Sequence, residues 1–248
     1  MSQPTILYMP QYSPAWWEAR CGIPTASSFD RIITPVRGKL SEQCDDYIAE
    51  LIGDRVCLTP NAFTERGRMG TPEMEAGRIA EPEARKFYSM IREVDVDQVG
   101  FVISACGRFG CSPDGLVGED GALELKCPLL KTQAGYLLKG GLPPEYKPQV
   151  HGQLIVTGRA WIDFLSYAPG LDPLLVRVEP DEYTAKLRNA LEAFWERYQR
   201  AWELLTGKRD TPPAATPERP DSVDAFGREW PPEPDEYPLY DPMVDEAE

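Results

Sequence analysis

Between Asp181 and Leu205 the apolar positions fall at Leu187, Leu191, Phe194, Tyr198, Trp202 and Leu205, three and four residues apart. That spacing lines them along one face and predicts a long helix. SEQCDDYIAELIG predicts another, with Ser41 to cap it, Tyr47, Ile48 and Leu51 facing inward and Gly53 to end it. A third runs from about Pro72 to Ile91, and Thr71 before Pro72 is its start signal. Pro82 removes a backbone donor inside it, so a kink or break is expected there, with Ala84, Phe87, Tyr88 and Ile91 continuing the stripe. TASSFDRII predicts a short helix capped by Thr25 or Ser27, and PQVHGQLIVTG a helix ended by Gly158. VGFVISA, the stretch from Cys111 to Pro128, and AWIDFLSYA have strand composition. Strands interleaved with helices predict an α/β fold, a central mixed β-sheet flanked by helices.

After Thr206 the pattern stops. The remaining residues lack periodicity and hold nine of the 25 prolines. The expected organisation is one domain over 1–206 and an acidic, Pro-rich tail over 207–248, extended or disordered.

One strand carries candidate chemistry. In ALELKCP, period-two alternation puts Leu123, Leu125 and Cys127 on one face and Glu124 with Lys126 on the other. A turn through Gly118 and Gly121 folds the preceding strand back, so Asp114 comes close to Glu124. Two carboxylates beside a lysine suit a hard divalent cation such as magnesium, with the Leu125 backbone carbonyl as a further ligand. A cation there activates water and offsets charge on a phosphate oxygen, and Lys126 can orient that water, help deprotonate it or neutralise developing charge. An exposed hairpin with a surface Glu-Lys pair shares this short pattern.

The formal net charge of −14 at first speaks against nucleic acid as a partner. It is unevenly placed, because residues 207–248 hold twelve acidic and four basic side chains, a net of −8. The other 206 residues therefore carry only −6. Six cysteines without a CxxC pair, and a single histidine, His151, argue against structural zinc. With no signal-peptide pattern at the N-terminus, they read as reduced thiols in a cytosolic protein. No apolar run approaches the ~18 residues of a membrane span.

CSPDGL followed by GALELKCP resembles the PD-(D/E)xK nucleases, and within them the lambda exonuclease or YqaJ-type viral recombinase family. WWEARCGIPTAS, GRIAEPEARKFY and YKPQVHGQLIVTGRAWIDFLSY resemble further segments of that family in the same order. The resemblance covers Trp16 to Tyr167 and implies a restriction-endonuclease-like core. It makes Asp114 and Glu124 metal ligands and Lys126 the catalytic lysine. Glu81 becomes the upstream acidic residue, acting on water or a second metal, with Glu83 its near rival and Glu73 and Glu75 behind. Gln149 becomes the family glutamine near the attacking water, a place Gln153 can also take. Arg20 would hold a 5′-terminal phosphate together with Ser27 and Ser112. Trp16 and Trp17 fit core or wall positions.

The implied activity is Mg²⁺-dependent exonuclease digestion of linear double-stranded DNA from a 5′-phosphate end, with Mn²⁺ substituting. It would generate 3′ overhangs for recombination by strand annealing. The implied partners are a trimeric ring of identical chains and a single-strand annealing protein, in the cytoplasm of a bacterial host. Alternatives are a structure-specific or restriction-like endonuclease and an inactive DNA-binding scaffold. A Cas4-like enzyme would need four cysteines for an iron–sulfur cluster, and no cysteine follows Cys127.

Overall fold

The computed structural model of the 248-residue chain describes residues 3–57 and 72–208. The expected start signal at Thr71 and all but the first two residues of the tail lie outside the described residues.

The strands form two sheets. In the first, β1 (Thr5–Leu7), β2 (Phe101–Ile103) and β3 (Gly110–Cys111) run antiparallel. The second is mixed, with the order β4 (Gly115–Val117), β5 (Gly121–Lys126), β6 (Trp161–Ser166) and β7 (Leu174–Val178). Its β5–β6 pair is parallel and the others antiparallel. The helices are α1 (Pro14–Arg20), α2 (Cys44–Cys57), α3 (Pro72–Arg92), α4 (Leu130–Lys139), α5 (Lys147–Thr157) and α6 (Glu182–Thr206).

The alternation in β5 sorts two cores. Leu123 and Leu125 pack with Leu165 against Ala84 and Tyr88 of α3. On the opposite face Ala122, Ile162 and Phe164 pack with Val150 and Leu154 of α5 and the inner stripe of α6. The expected mixed sheet flanked by helices is therefore present. Asp181 caps α6 by accepting from Thr184 N–H, and Gly207 ends it at φ 69°. Gly158 ends α5 in the same left-handed conformation, φ 66°.

Three local expectations are corrected. The chain stays helical through Pro82, because Ala84 and Tyr88 beyond it are fully buried and hold the next turns on the sheet. Gly53 does not end α2. The last turn continues to Cys57 over a close approach to Gly22, where the Cys21 thiol donates to the Asp54 carbonyl. TASSFDRII forms a 3₁₀ turn over Ala26–Arg31, and neither Thr25 nor Ser27 caps it; the Thr25 and Ser27 hydroxyls face Arg20.

That 3₁₀ turn lies against α5 at Gly152. A Cβ there would come within 2.5 Å of the Phe29 ring and 3.1 Å of Ala26 Cβ. The small residue permits the close approach that brings α5 and the Ser27 turn to the same end of the sheet.

Candidate active site

β4 leaves β5 after the Gly115–Leu123 pair, so the edge of β5 is open beyond it. Asp114 fills the opening: its N–H donates to Leu123 O at 3.0 Å and its Oδ2 accepts from Leu125 N–H at 2.6 Å. A strand residue aims its N–H and C=O at the same edge, so the Leu125 carbonyl faces Asp114 as well. The next carbonyl, Lys126 O, turns the other way and accepts from Tyr167 N–H.

Glu124 is 1% exposed and fully engaged. Its Oε1 accepts from Lys126 Nζ and from Gln149 Nε2, each at 2.5 Å. Its Oε2 accepts from Gln153 Nε2, one turn further along α5. The two glutamines thus share the place expected for one, and Gln153 is the buried partner. Gln153 Oε1 is a buried acceptor without a protein donor.

The Arg85 guanidinium of α3 donates to the Asp114 carbonyl at 3.0 Å, which locks the helix to the open edge. Glu81, one turn earlier, lies in the fields of Lys126 and Glu124. Glu83 turns away to accept from the Tyr167 hydroxyl, and Glu75 pairs with Arg78. His151 also points elsewhere, against the Thr184 hydroxyl at 2.7 Å.

The electrostatics follow from this crowding. Burial pushes the Asp114 carboxyl well above its ordinary range, and the Glu124 and Glu81 carboxylates push it further. Burial likewise raises Glu81, opposed by Arg85 and Lys126. Burial works against charge on Lys126, but Glu124 and Asp114 outweigh it, so its pKa rises above the ordinary lysine value. The site therefore concentrates more negative charge than its lysine offsets.

Such a donor set fits a hard divalent cation: two carboxylates and a backbone carbonyl around an excess of negative charge. Among the described residues no three His, Cys, Asp or Glu side chains form a joint ligand cluster. The protein thus offers a partial oxygen shell, which suits an ion that keeps several waters.

A second cluster adjoins the first. Arg20, at the end of α1, donates to Ser112 Oγ at 3.1 Å and to Thr25 Oγ1 and Ser27 Oγ at 3.3 and 3.4 Å. Its guanidinium carbon lies 4.2 Å above the Trp16 ring, whose Nε1 donates to Gly100 O and Ser112 Oγ. Burial lowers the Arg20 pKa, and among the described residues no carboxylate pairs with it. A guanidinium fork without a carboxylate partner, ringed by three hydroxyls, has donor chemistry that suits an anion. Arg20, Ser27 and Ser112, separated along the chain, are thus brought together. Thr25 is an addition, foreshadowed only by its place in the same GIPTAS run. Trp16 proves to be the floor under Arg20.

Residues 15–160 match the family model described as the YqaJ-like viral recombinase domain. Among solved structures the chain is similar to an alkaline exonuclease, LHK-Exo, from Laribacter hongkongensis. Identity is 32%, over 79% of this chain and 97% of that one, with a TM-score of 0.67. The same exonuclease in complex with dAMP matches at a TM-score of 0.68, with equal identity and coverage. A phage related exonuclease from Haemophilus somnus 129PT shares the fold at 14% identity, over 74% of this chain and 96% of that one, with a TM-score of 0.56. No curated protein matches. No helix among the described residues is long and apolar enough to cross a membrane.

Proposed function

This chain belongs to the family of the YqaJ-like viral recombinase domain, and from that premise we propose that it is a metal-dependent deoxyribonuclease. In this reading it degrades one strand of linear duplex DNA from a 5′-phosphorylated end, 5′ to 3′, and leaves 3′ single strands for recombination by annealing. The observation that carries the reading is the adjacency of the two clusters. Ser112, bound by Arg20, stands two residues before Asp114. A terminal phosphate held at Arg20 brings the next phosphodiester toward the carboxylates.

Asp114, Glu124 and the Leu125 carbonyl would hold Mg²⁺ or Mn²⁺, and Glu81 would act on water or a second ion. A cation held there supplies Lewis acidity toward the scissile phosphate. Gln149 and Gln153 fix the Glu124 carboxylate in one orientation by donating to both its oxygens. Lys126, held against Glu124 Oε1, is placed to orient the attacking water, to help its deprotonation or to neutralise charge that develops on the phosphate. Glu81, raised by burial, accepts a proton from attacking water. Arg20, lined by Ser27, Thr25 and Ser112, favours phosphorylated ends because its guanidinium has no carboxylate partner among the described residues and a phosphate supplies the countercharge. The family resemblance extends the proposal to a homotrimeric ring and a single-strand annealing protein as partner.

Linear duplexes with and without 5′ phosphate, and a closed circle, incubated in Mg²⁺ beside Lys126→Ala, test this. Loss of the phosphorylated linear duplex alone, abolished in the variant, is the expected result. Cutting of the circle would make the protein an endonuclease, and binding without cutting would make it a scaffold.

A further inference from the structure

Tyr12 sits between the two clusters with its backbone at φ 67°, in the left-handed region. A bulky residue there is strained, by about 1–3 kcal/mol. Among the described residues one other non-glycine shares that region, Glu93, and it simply follows the end of α3. Tyr12 follows no helix. It is the third residue of a turn that the Ser13 N–H closes by donating to Pro10 O at 3.3 Å, the position at which a type II turn takes a positive φ, and two side chains tether that turn. The Gln11 amide donates to Val99 O at 3.2 Å and to Pro113 O at 3.0 Å. The Ser13 hydroxyl accepts from Trp16 N–H at the start of α1. Between them, the Tyr12 side chain is turned outward from the backbone beside Asp114.

The ring lies within reach of both clusters. It meets Trp16 at 5.0 Å between centroids, and Trp16 in turn carries Arg20. Arg78 covers one face at 4.8 Å. Trp16 meets the ring tilted by 45° and not stacked flat on it, and Tyr12 is 39% exposed. Burial, then Glu81 and Asp114, push its phenol up to about 12, so it stays neutral beside the carboxylates. An aromatic face backed by an arginine, one contact from the anion pocket and in the field of the metal ligands, has the makings of a nucleobase platform.

Resting on the nuclease reading above, we propose that Tyr12 contacts the substrate, its ring stacking on the base of the 5′-terminal nucleotide whose phosphate Arg20 holds. The backbone strain is retained because a residue without a ring cannot make that contact. Tyr12 thereby distinguishes an end that carries a base from one that lacks it.

The test crosses protein variants with substrate. Tyr12→Gly removes the ring and relieves the strain; Tyr12→Phe keeps the ring. Each is given 5′-phosphorylated duplexes ending in a normal or an abasic nucleotide. Binding is read by fluorescence anisotropy in EDTA and cutting by KM and kcat in Mg²⁺. Tyr12→Gly is expected to weaken binding to the normal end, and to raise its KM, by roughly tenfold. On the abasic end it should match the wild type, its melting temperature should equal or exceed the wild type's, and Tyr12→Phe should recover most of the loss. An equal loss on both ends, or none on either, overturns the stacking role. A wild type that binds ends and shows this pattern without cutting would instead sink the nuclease reading and leave the platform standing.

Discussion

The Arg20 guanidinium and the Ser112 hydroxyl meet at 3.1 Å, across 92 residues of sequence. The same hydroxyl accepts from Trp16 Nε1 at 2.8 Å, so both its contacts come from α1. This pairing fixes the anion pocket to the strand connection that carries Asp114. Arg20→Lys keeps a charge but loses the fork that reaches three hydroxyls at once. Hydrogen bonds to charged groups contribute about 1.5–3 kcal/mol each. The preference for phosphorylated over hydroxyl 5′ ends, measured as a ratio of kcat/KM, should fall roughly tenfold or more. An unchanged ratio would remove Arg20 from end recognition.

Gln153 gives a second expectation. Its amide is the partner of Glu124 Oε2, inside the protein. Gln153→Leu leaves a buried carboxylate oxygen without its donor, and Glu124 loses its fixed orientation. Groups that orient a metal ligand typically alter metal affinity or activity about 10–100-fold. The Mg²⁺ concentration giving half-maximal cutting should rise within that range. Gln149→Leu should have a smaller effect, because Lys126 still donates to the oxygen that Gln149 leaves. Equal and negligible effects would show that the cation does not need Glu124 held.

Local pattern made parts of this legible. The alternation of Leu123 and Leu125 with Glu124 and Lys126 gives the apolar face of β5 correctly, but the opposite face is buried as well, under α5, and that depends on distant packing. The α6 stripe between Asp181 and Gly207 needs no tertiary information either. β1 is three residues long and β7 five, too short for alternation to stand out; β7 pairs with the β6 strand just before it, but β1 enters its sheet only through β2, far along the chain. The 3₁₀ turn at Ala26 depends on contact with Gly152, which no local signal carries. The strain at Tyr12 is a backbone property of the turn closed between Pro10 and Ser13, at a residue type that turn does not favour. For Asp163 the sequence shows only a carboxylate in an apolar strand. Its meaning emerges once β7 pairs it in register with Arg177.

That pairing supports a stability prediction. Asp163 is 1% exposed and accepts from Arg177 Nε at 2.7 Å, from Arg177 Nη2 at 2.8 Å and from the Tyr88 hydroxyl at 2.8 Å. Tyr88 lies on α3 two turns after Glu81, so the network anchors the helix carrying the proposed base. Asp163→Ala leaves the buried Tyr88 hydroxyl without its acceptor, whereas Arg177, 38% exposed, can turn to water, so the fold should lose about 1–3 kcal/mol in urea unfolding. Tyr88→Phe removes one hydrogen bond and should lose only about 1 kcal/mol. Comparable small losses for both would mean the carboxylate is not the centre of the network.

Asp114 makes the opposite prediction, that a functional residue weakens the fold. Its folded pKa lies above the ordinary 3.8, through burial first and then through Glu124 and Glu81. In EDTA, below the ordinary value, the group is protonated in both folded and unfolded chains and contributes nothing to the pH slope. As pH rises past that value the unfolded chain releases its proton first, and the folded chain binds more protons. Its stability contribution therefore falls until pH passes the raised folded value. Asp114→Asn has no charge to bury, and its amide oxygen can still accept from Leu125 N–H. At neutral pH without metal the variant should therefore unfold at higher urea than the wild type, with the gap closing toward about pH 4. Mg²⁺ should restore the wild type and leave the variant unmoved, because binding to the ionised carboxylate favours the folded state. A variant less stable than the wild type throughout would show that Asp114 serves the fold and not a charge-hungry site.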